Sequence, residues 1–130
     1  MTRLLDTSIC VAWLKREQKV RERLVSLPRS AVVICSVVRG ELQFGARKSA
    51  RVSENLELLS RFLADLECWP YDEAAADAYG LIRAQAEVVR QPVGAHDLLI
   101  AAIALSRDAT LVTRNAAEFR RIVGLKLETW

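Results

Sequence analysis

Apolar residues along the chain gather in short runs, and between these runs apolar positions recur at helical spacing against a polar background. Arg3-Leu4-Leu5 ends at Asp6 and passes directly into Ile9 to Leu14, the pattern of a strand feeding a helix. A second β-branched run, Ala31 to Cys35, ends at Ser36, which is placed to N-cap a helix carrying Glu41 to Lys48. Between Ala50 and Leu66, the positions Leu56, Leu59, Leu63 and Leu66 form one stripe and predict an amphipathic helix. Leu66 to Trp69 reads as a short strand closed by Pro70. Asp72 to Arg90 reads as a long helix with Ala76, Tyr79, Ile82, Ala86 and Val89 inward.

Gln91-Pro92-Val93-Gly94 breaks that helix, and His96-Asp97 opens an apolar helix that ends near Ser106. Thr110 to Thr113 predicts a strand, Asn115 to Ile122 a short helix, and Leu125 to Leu127 a last edge strand. Strands alternating with helices imply an α/β fold: a three-layer α/β/α sandwich around a mostly parallel sheet of about five strands, covered on both faces. No repeat, linker or low-complexity tract interrupts the pattern, so residues 1–130 are expected to form one domain.

Composition narrows the function only slightly. Hydrophobic residues at 52% and charged residues at 27% exclude disorder as the main state. A net charge of +3 gives a mild preference for a polyanionic partner. Cys10, Cys35 and Cys68 lie in or beside apolar stretches without Cys-x-x-Cys spacing, which suits reduced thiols and a cytoplasmic location. Asp6 precedes any apolar segment of the secretory kind, and the longest apolar run is Leu98 to Leu105. A membrane span needs about 17 to 25 residues, so a soluble protein is expected.

In an open α/β sheet the functional crevice lies beyond the carboxyl ends of the strands. Asp6 closes the first strand, Glu41 lies about one turn into the helix after the second, and Thr113, Arg114, Asn115 and Glu118 follow the fourth. Asp97 opens the helix leading into that same strand. Taken singly, Asp6 and Asp97 read as N-caps, Glu41 as solvated surface, and Asn115 with Glu118 as a capping box. Taken together, they are anions from distant segments brought to one end of one sheet. A hard divalent cation such as Mg²⁺, with oxygen ligands and retained waters, gives such a convergence a reason. The helix N-termini behind Asp6 and Asp97 are expected to favour the ionised acids.

Other polar residues exclude as much as they suggest. His96 is the only histidine, so acid-base catalysis by a histidine pair is excluded; a surface position or a substrate contact remains open for it. Neither Ser8 nor Ser36 lies in a nucleophile elbow, and Ser8 reads as a hydrogen-bond partner of the acids. Asp6-Thr7-Ser8 lacks the second Asp that an aspartyl phosphatase carries two residues on. Arg114, Arg47, Lys48 and Arg51 are candidates for phosphate contacts. Trp13, Trp69 and Trp130 lie near apolar residues and read as core, not as a base-stacking platform.

Several blocks, in order, carry a family resemblance: Leu4-Leu5-Asp6-Thr7-Ser8, Gly40-Glu41-Leu42-Gln43-Phe44-Gly45-Ala46, Gly94-Ala95-His96-Asp97-Leu98-Leu99-Ile100-Ala101-Ala102, and Leu111-Val112-Thr113-Arg114-Asn115 with Glu118-Phe119. The chain resembles the VapC toxins of prokaryotic toxin-antitoxin systems, within the PIN-domain nucleases. The resemblance implies metal-binding acids at Asp6, Glu41 and Asp97, with Ser8 where the family carries Asn or Ser. It implies Mg²⁺, with Mn²⁺ as a substitute, holding a water for in-line attack on RNA, a tRNA loop being the expected substrate class. The expected products carry a 5′-phosphate and a 3′-hydroxyl. A cognate VapB-like antitoxin whose tail covers the crevice and a homodimer are implied as well. The fourth acidic place of the family falls on Asn115, one negative charge fewer, with Glu118 the candidate to compensate. Two alternatives stay open: a catalytically silent PIN-like module that binds RNA or protein, and a nuclease directed at DNA.

Overall fold

Val32–Cys35 is buried at every position, as a strand covered on both faces of a parallel sheet requires. In the computed structural model, which describes residues 1–130, it is β2 of five strands: β1 (Arg3–Leu5), β2 (Val32–Cys35), β3 (Glu67–Trp69), β4 (Thr110–Val112) and β5 (Lys126–Glu128). Their spatial order is β3-β2-β1-β4-β5, and every pairing is parallel. The helices are α1 (Thr7–Leu14), α2 (Gln18–Val25), α3 (Ser36–Arg47), α4 (Val52–Ala64), α5 (Glu73–Val89), α6 (Ala95–Ser106) and α7 (Ala116–Phe119). This is the expected mostly parallel α/β architecture. The crossovers leave β1 in both directions, so the order reverses between β1 and β4, where such sheets open a crevice at their carboxyl ends.

A continuous core of 33 buried residues joins the strands to the inner helix faces. Helix α6 supplies Ile100 to Ala104 without exposure, while α5 lies over α6 and α3 packs on α4 and α1. Trp69 and Trp130 are buried, and Trp13 stacks on Phe62 at 5.9 Å, so the tryptophans serve packing. Cys10 and Cys35 are buried, Cys68 is half-buried, and all three are free thiols. No helix is long and apolar enough to cross a membrane.

The structure departs from the sequence reading in four places. Helix α2 was not foreseen, because only Val20 and Leu24 are buried on an otherwise polar segment. Ser36 is the first residue of α3, not its cap; its hydroxyl accepts from the Tyr71 N–H at 3.2 Å instead. On α5 the inner face is Ala75, Ala78, Tyr79, Ile82 and Ala86, while Ala76 and Val89 are exposed. The cap at Asp72 fixes the phase of that helix, and Ala76 falls one residue, about 100°, off its buried face. Finally, α7 is a single turn, Ala116–Phe119, because the chain turns away after Arg120 to reach β5.

Candidate active site

Asp6 is 6% exposed, and its two oxygens do different work. Oδ1 accepts the Thr7 N–H at 2.7 Å and caps α1. Oδ2 accepts the Thr113 hydroxyl at 2.6 Å and the Ser8 hydroxyl at 3.4 Å. The capping reading and the site reading of Asp6 are therefore compatible, one oxygen for each. Thr113 is itself held, since its N–H donates to the Glu128 carbonyl at 3.0 Å and its Oγ1 accepts from Asn115 N–H at 2.9 Å.

Asp97 is not a cap. Gly94 occupies that place on α6, and Asp97 lies half-buried in the first turn. Asn115 spans Asp97 and Glu118 with one amide group: Nδ2 donates to Asp97 Oδ2 at 3.3 Å and to Glu118 Oε2 at 2.7 Å. Glu118 does not close a capping box on α7; its other oxygen accepts the Gly94 N–H across the crevice. Glu118 is therefore drawn into the acidic site by the amide and by the N-terminus of α6.

Charge follows from this geometry. Burial, then the negative charge of Asp6, then Glu118 and Glu41 push the Asp97 carboxyl up to about 6. Burial and the neighbouring acids thus act against the ionised form that the helix N-terminus was expected to favour at Asp97. Glu118 is held below the usual range, first by the Gly94 N–H and then by the Asn115 amide.

Glu41 reaches the site from α3, and its Oε1 accepts the Thr7 hydroxyl at 3.0 Å. Its Oε2 lies 3.8 Å from Nδ1 of His96, whose side chain is exposed on the rim. Sequence reasoning passed over Thr7 and Gly94; the only sign of Thr7 was a hydroxyl directly after the strand-ending Asp6.

The cationic candidates divide. Arg114 is committed to Glu17, with Nη1 at 3.1 and 3.0 Å from its two oxygens, while the Arg114 N–H donates to Ser8. Arg47 is exposed, and Lys48 lies over the Phe44 ring at 5.1 Å, beside a groove that also borders Glu41.

No three of the Asp, Glu, His and Cys side chains stand close enough to make a ready-made metal cage. A hard cation that keeps several waters needs only one or two carboxylates from the protein, unlike the ion of a closed structural site. The donors are all carboxylate and hydroxyl oxygens, and Asp97 carries the mutual repulsion that a cation would offset. The residues present therefore fit a divalent ion of the Mg²⁺ or Mn²⁺ kind.

Comparison with known proteins finds relatives along nearly the whole chain. The family model described as PIN domain matches residues 3–125. A Shigella flexneri protein named tRNA(fMet)-specific endonuclease VapC is 40% identical over 98% of this chain and 96% of its own length. Among solved structures, DNA-bound VapBC from Salmonella typhimurium superposes with a TM-score of 0.95 at 38% identity, covering 100% of this chain and 98% of that one. VapBC2 from Rickettsia felis, bound to a promoter DNA fragment, gives 0.94 at 37% identity, covering 100% and 99%. With its sheet order, its acidic crevice and these matches along nearly its whole length, the chain belongs to the PIN domain family.

Proposed function

We propose that this protein is a metal-dependent endoribonuclease, the toxin of a toxin-antitoxin pair, cutting phosphodiester bonds in tRNA. The observation that carries the reading is the position of Asp97, a half-buried acid that feels the charges of Asp6, Glu118 and Glu41. Similar proteins support the substrate and the partner: the Shigella relative is named for a tRNA, and the solved relatives are complexes of VapC with VapB. Membership of the PIN domain family implies dependence on a divalent metal; Mg²⁺ is our assignment, with Mn²⁺ as a substitute.

Asp6, Glu41 and Asp97 would hold the ion, with Glu118 supplying the charge that Asn115 lacks. When bound, the cation supplies neutralisation of the scissile phosphate and acidification of a water. The chain's own groups do the rest. Thr113 and Ser8 fix Asp6 Oδ2, and the Asn115 amide holds Asp97 and Glu118 side by side. His96 stands exposed beside Glu41, where it can meet a substrate phosphate. Cleavage leaves a 5′-phosphate and a 3′-hydroxyl. An antitoxin tail covers the crevice, the toxin forms a dimer in the cytoplasm, and residues 1–130 act as one domain.

The test is incubation of purified protein with tRNA in Mg²⁺, in Mn²⁺ and in excess EDTA, with Asp97→Asn alongside. Cutting that needs metal and Asp97 is expected, and undiminished cutting under chelation overturns the proposal. Asn115 favours the second reading, a silent RNA-binding module. RNA retention without any metal-dependent product in the same assay would establish that reading instead. A parallel DNA substrate separates ribonuclease from deoxyribonuclease action.

A further inference from the structure

Thr7 donates to two of the acids at once. Its backbone N–H reaches Asp6 Oδ1 at 2.7 Å, and its hydroxyl reaches Glu41 Oε1 at 3.0 Å. The two acceptors arrive from different elements, Asp6 from the end of β1 and Glu41 from α3. We propose that Thr7 is a positioning residue that sets the spacing of Asp6 and Glu41 and restrains the Glu41 carboxylate so that its second oxygen faces the crevice. This inference builds on the metal-dependent reading of the site.

The geometry leaves the hydroxyl as the sole hydrogen-bond donor to the Glu41 carboxylate, whose side chain is 30% exposed. A glutamate on a helix surface has rotamer freedom that opposes a fixed ligand geometry. One bond to Oε1 restrains it and leaves Oε2 on the His96 side of the crevice. The donor is itself stiff, because Thr is β-branched and has few side-chain rotamers within a helix. Its main chain is fixed as well, since the first N–H of α1 is spent on the Asp6 cap. An ordinary threonine at a helix start needs no partner 34 residues away; this one ties two helices together through an acid. Partners that orient metal-binding carboxylates act on affinity through such bonds.

The test is Mn²⁺ binding by the full-length protein, read from the loss of the free-ion electron paramagnetic resonance signal, with tRNA cutting measured in parallel. Thr7→Val replaces the hydroxyl by a methyl and keeps the N–H, and we expect Mn²⁺ affinity to fall about tenfold with thermal stability nearly unchanged. Thr7→Ser should restore affinity, because it returns the hydroxyl alone. In a Glu41→Gln background Thr7→Val should add no further loss. If the valine variant folds poorly, Thr7→Ala removes the same donor without added bulk and carries the same expectation. Wild-type affinity in a folded Thr7→Val or Thr7→Ala protein overturns the inference, as does an equal loss in Thr7→Ser. A wild-type protein that binds no Mn²⁺ overturns the metal-dependent reading and this inference with it. Binding by wild type that is indifferent to Thr7 overturns only the latter.

Discussion

A carboxyl group half out of water among three other acids has two opposite consequences at Asp97, one for stability and one for metal. Its ionisation is disfavoured in the folded chain, with the carboxyl raised to about 6. Acids with a raised folded value contribute stability that is full below their unfolded pKa and is lost as pH rises through the folded one. Metal-free wild type should therefore lose stability between about pH 4 and pH 6, where Asp97 must charge. Asp97→Asn removes that charge, so in EDTA its melting temperature should exceed wild type at pH 7.5 and approach it at pH 4. Activity should move the other way. Loss of a ligand should cost about 100-fold or more in tRNA cutting, since even outer partners of a metal site cost 10- to 100-fold. An asparagine variant that is both folded and fully active would return Asp97 to a structural role. Protons and metal also compete for the same oxygens, so wild-type Mn²⁺ affinity should weaken as pH falls through 6. A titration flat from pH 5 to 8 would argue that Asp97 is not a ligand.

Elements differ in how openly the sequence announces them. Helix α5 is capped by Asp72, whose Oδ1 accepts the Ala75 N–H at 3.0 Å and whose other oxygen lies 3.5 Å from Arg107. Asp72→Ala should cost about 1 kcal/mol in urea unfolding, the usual worth of such a cap. A midpoint shift indistinguishable from zero would mean that packing of α5 on α6 alone holds the helix end. Strands β1, β2 and β4 were legible because a strand buried on both faces has to be a continuous apolar run, and Leu4-Leu5, Val32 to Cys35 and Leu111-Val112 are such runs. Helix α2 was not, because Val20 and Leu24 give its Gln-Lys-Val-Arg-Glu-Arg-Leu-Val segment too narrow a stripe to stand out from a polar loop. The places of Asp6 after β1, Glu41 on α3 and Asp97 in the first turn of α6 could be read from the sequence. Their partners could not: whether Glu118 turns back on α7 or crosses to Gly94 depends on where the loop before α6 lies in space. The same limit hid the bond from Thr7 to Glu41.

At the scale of the whole molecule, the site depends on the far end of the chain. Strand β5 is the last in the chain and an edge of the sheet, pairing with β4 from Lys126 to Glu128, and the Glu128 carbonyl accepts the N–H of Thr113, whose hydroxyl holds Asp6. The Glu128 side chain plays a separate part. It reaches Nε of Arg3 on β1 at 2.6 Å and pairs with Arg23 on α2, closing the sheet edge against the helix layer. Burial raises the Glu128 carboxyl, yet the bond to Arg3, the Trp130 contact and the Arg23 charge outweigh it and hold it low. An acid with a lowered folded value contributes stability above its unfolded pKa and loses it as pH falls through the folded one. Glu128→Gln should therefore lower stability at pH 7 by about 1–2 kcal/mol, between the worth of an exposed pair and that of a hydrogen bond to a charge. The gap to wild type should close as pH falls below the ordinary glutamate range. Mn²⁺ affinity should be unchanged in this variant, because Thr113 is held by the main chain of Glu128 and not by its side chain. Deleting Lys126 to Trp130 should differ in kind, since it strips β4 of its partner strand, removes the buried Trp130 and frees Thr113. Stability and Mn²⁺ affinity should then fall together. If Glu128→Gln weakens metal binding as much as it weakens the fold, the brace and the site are one unit, and the division between side chain and main chain drawn from the geometry is wrong.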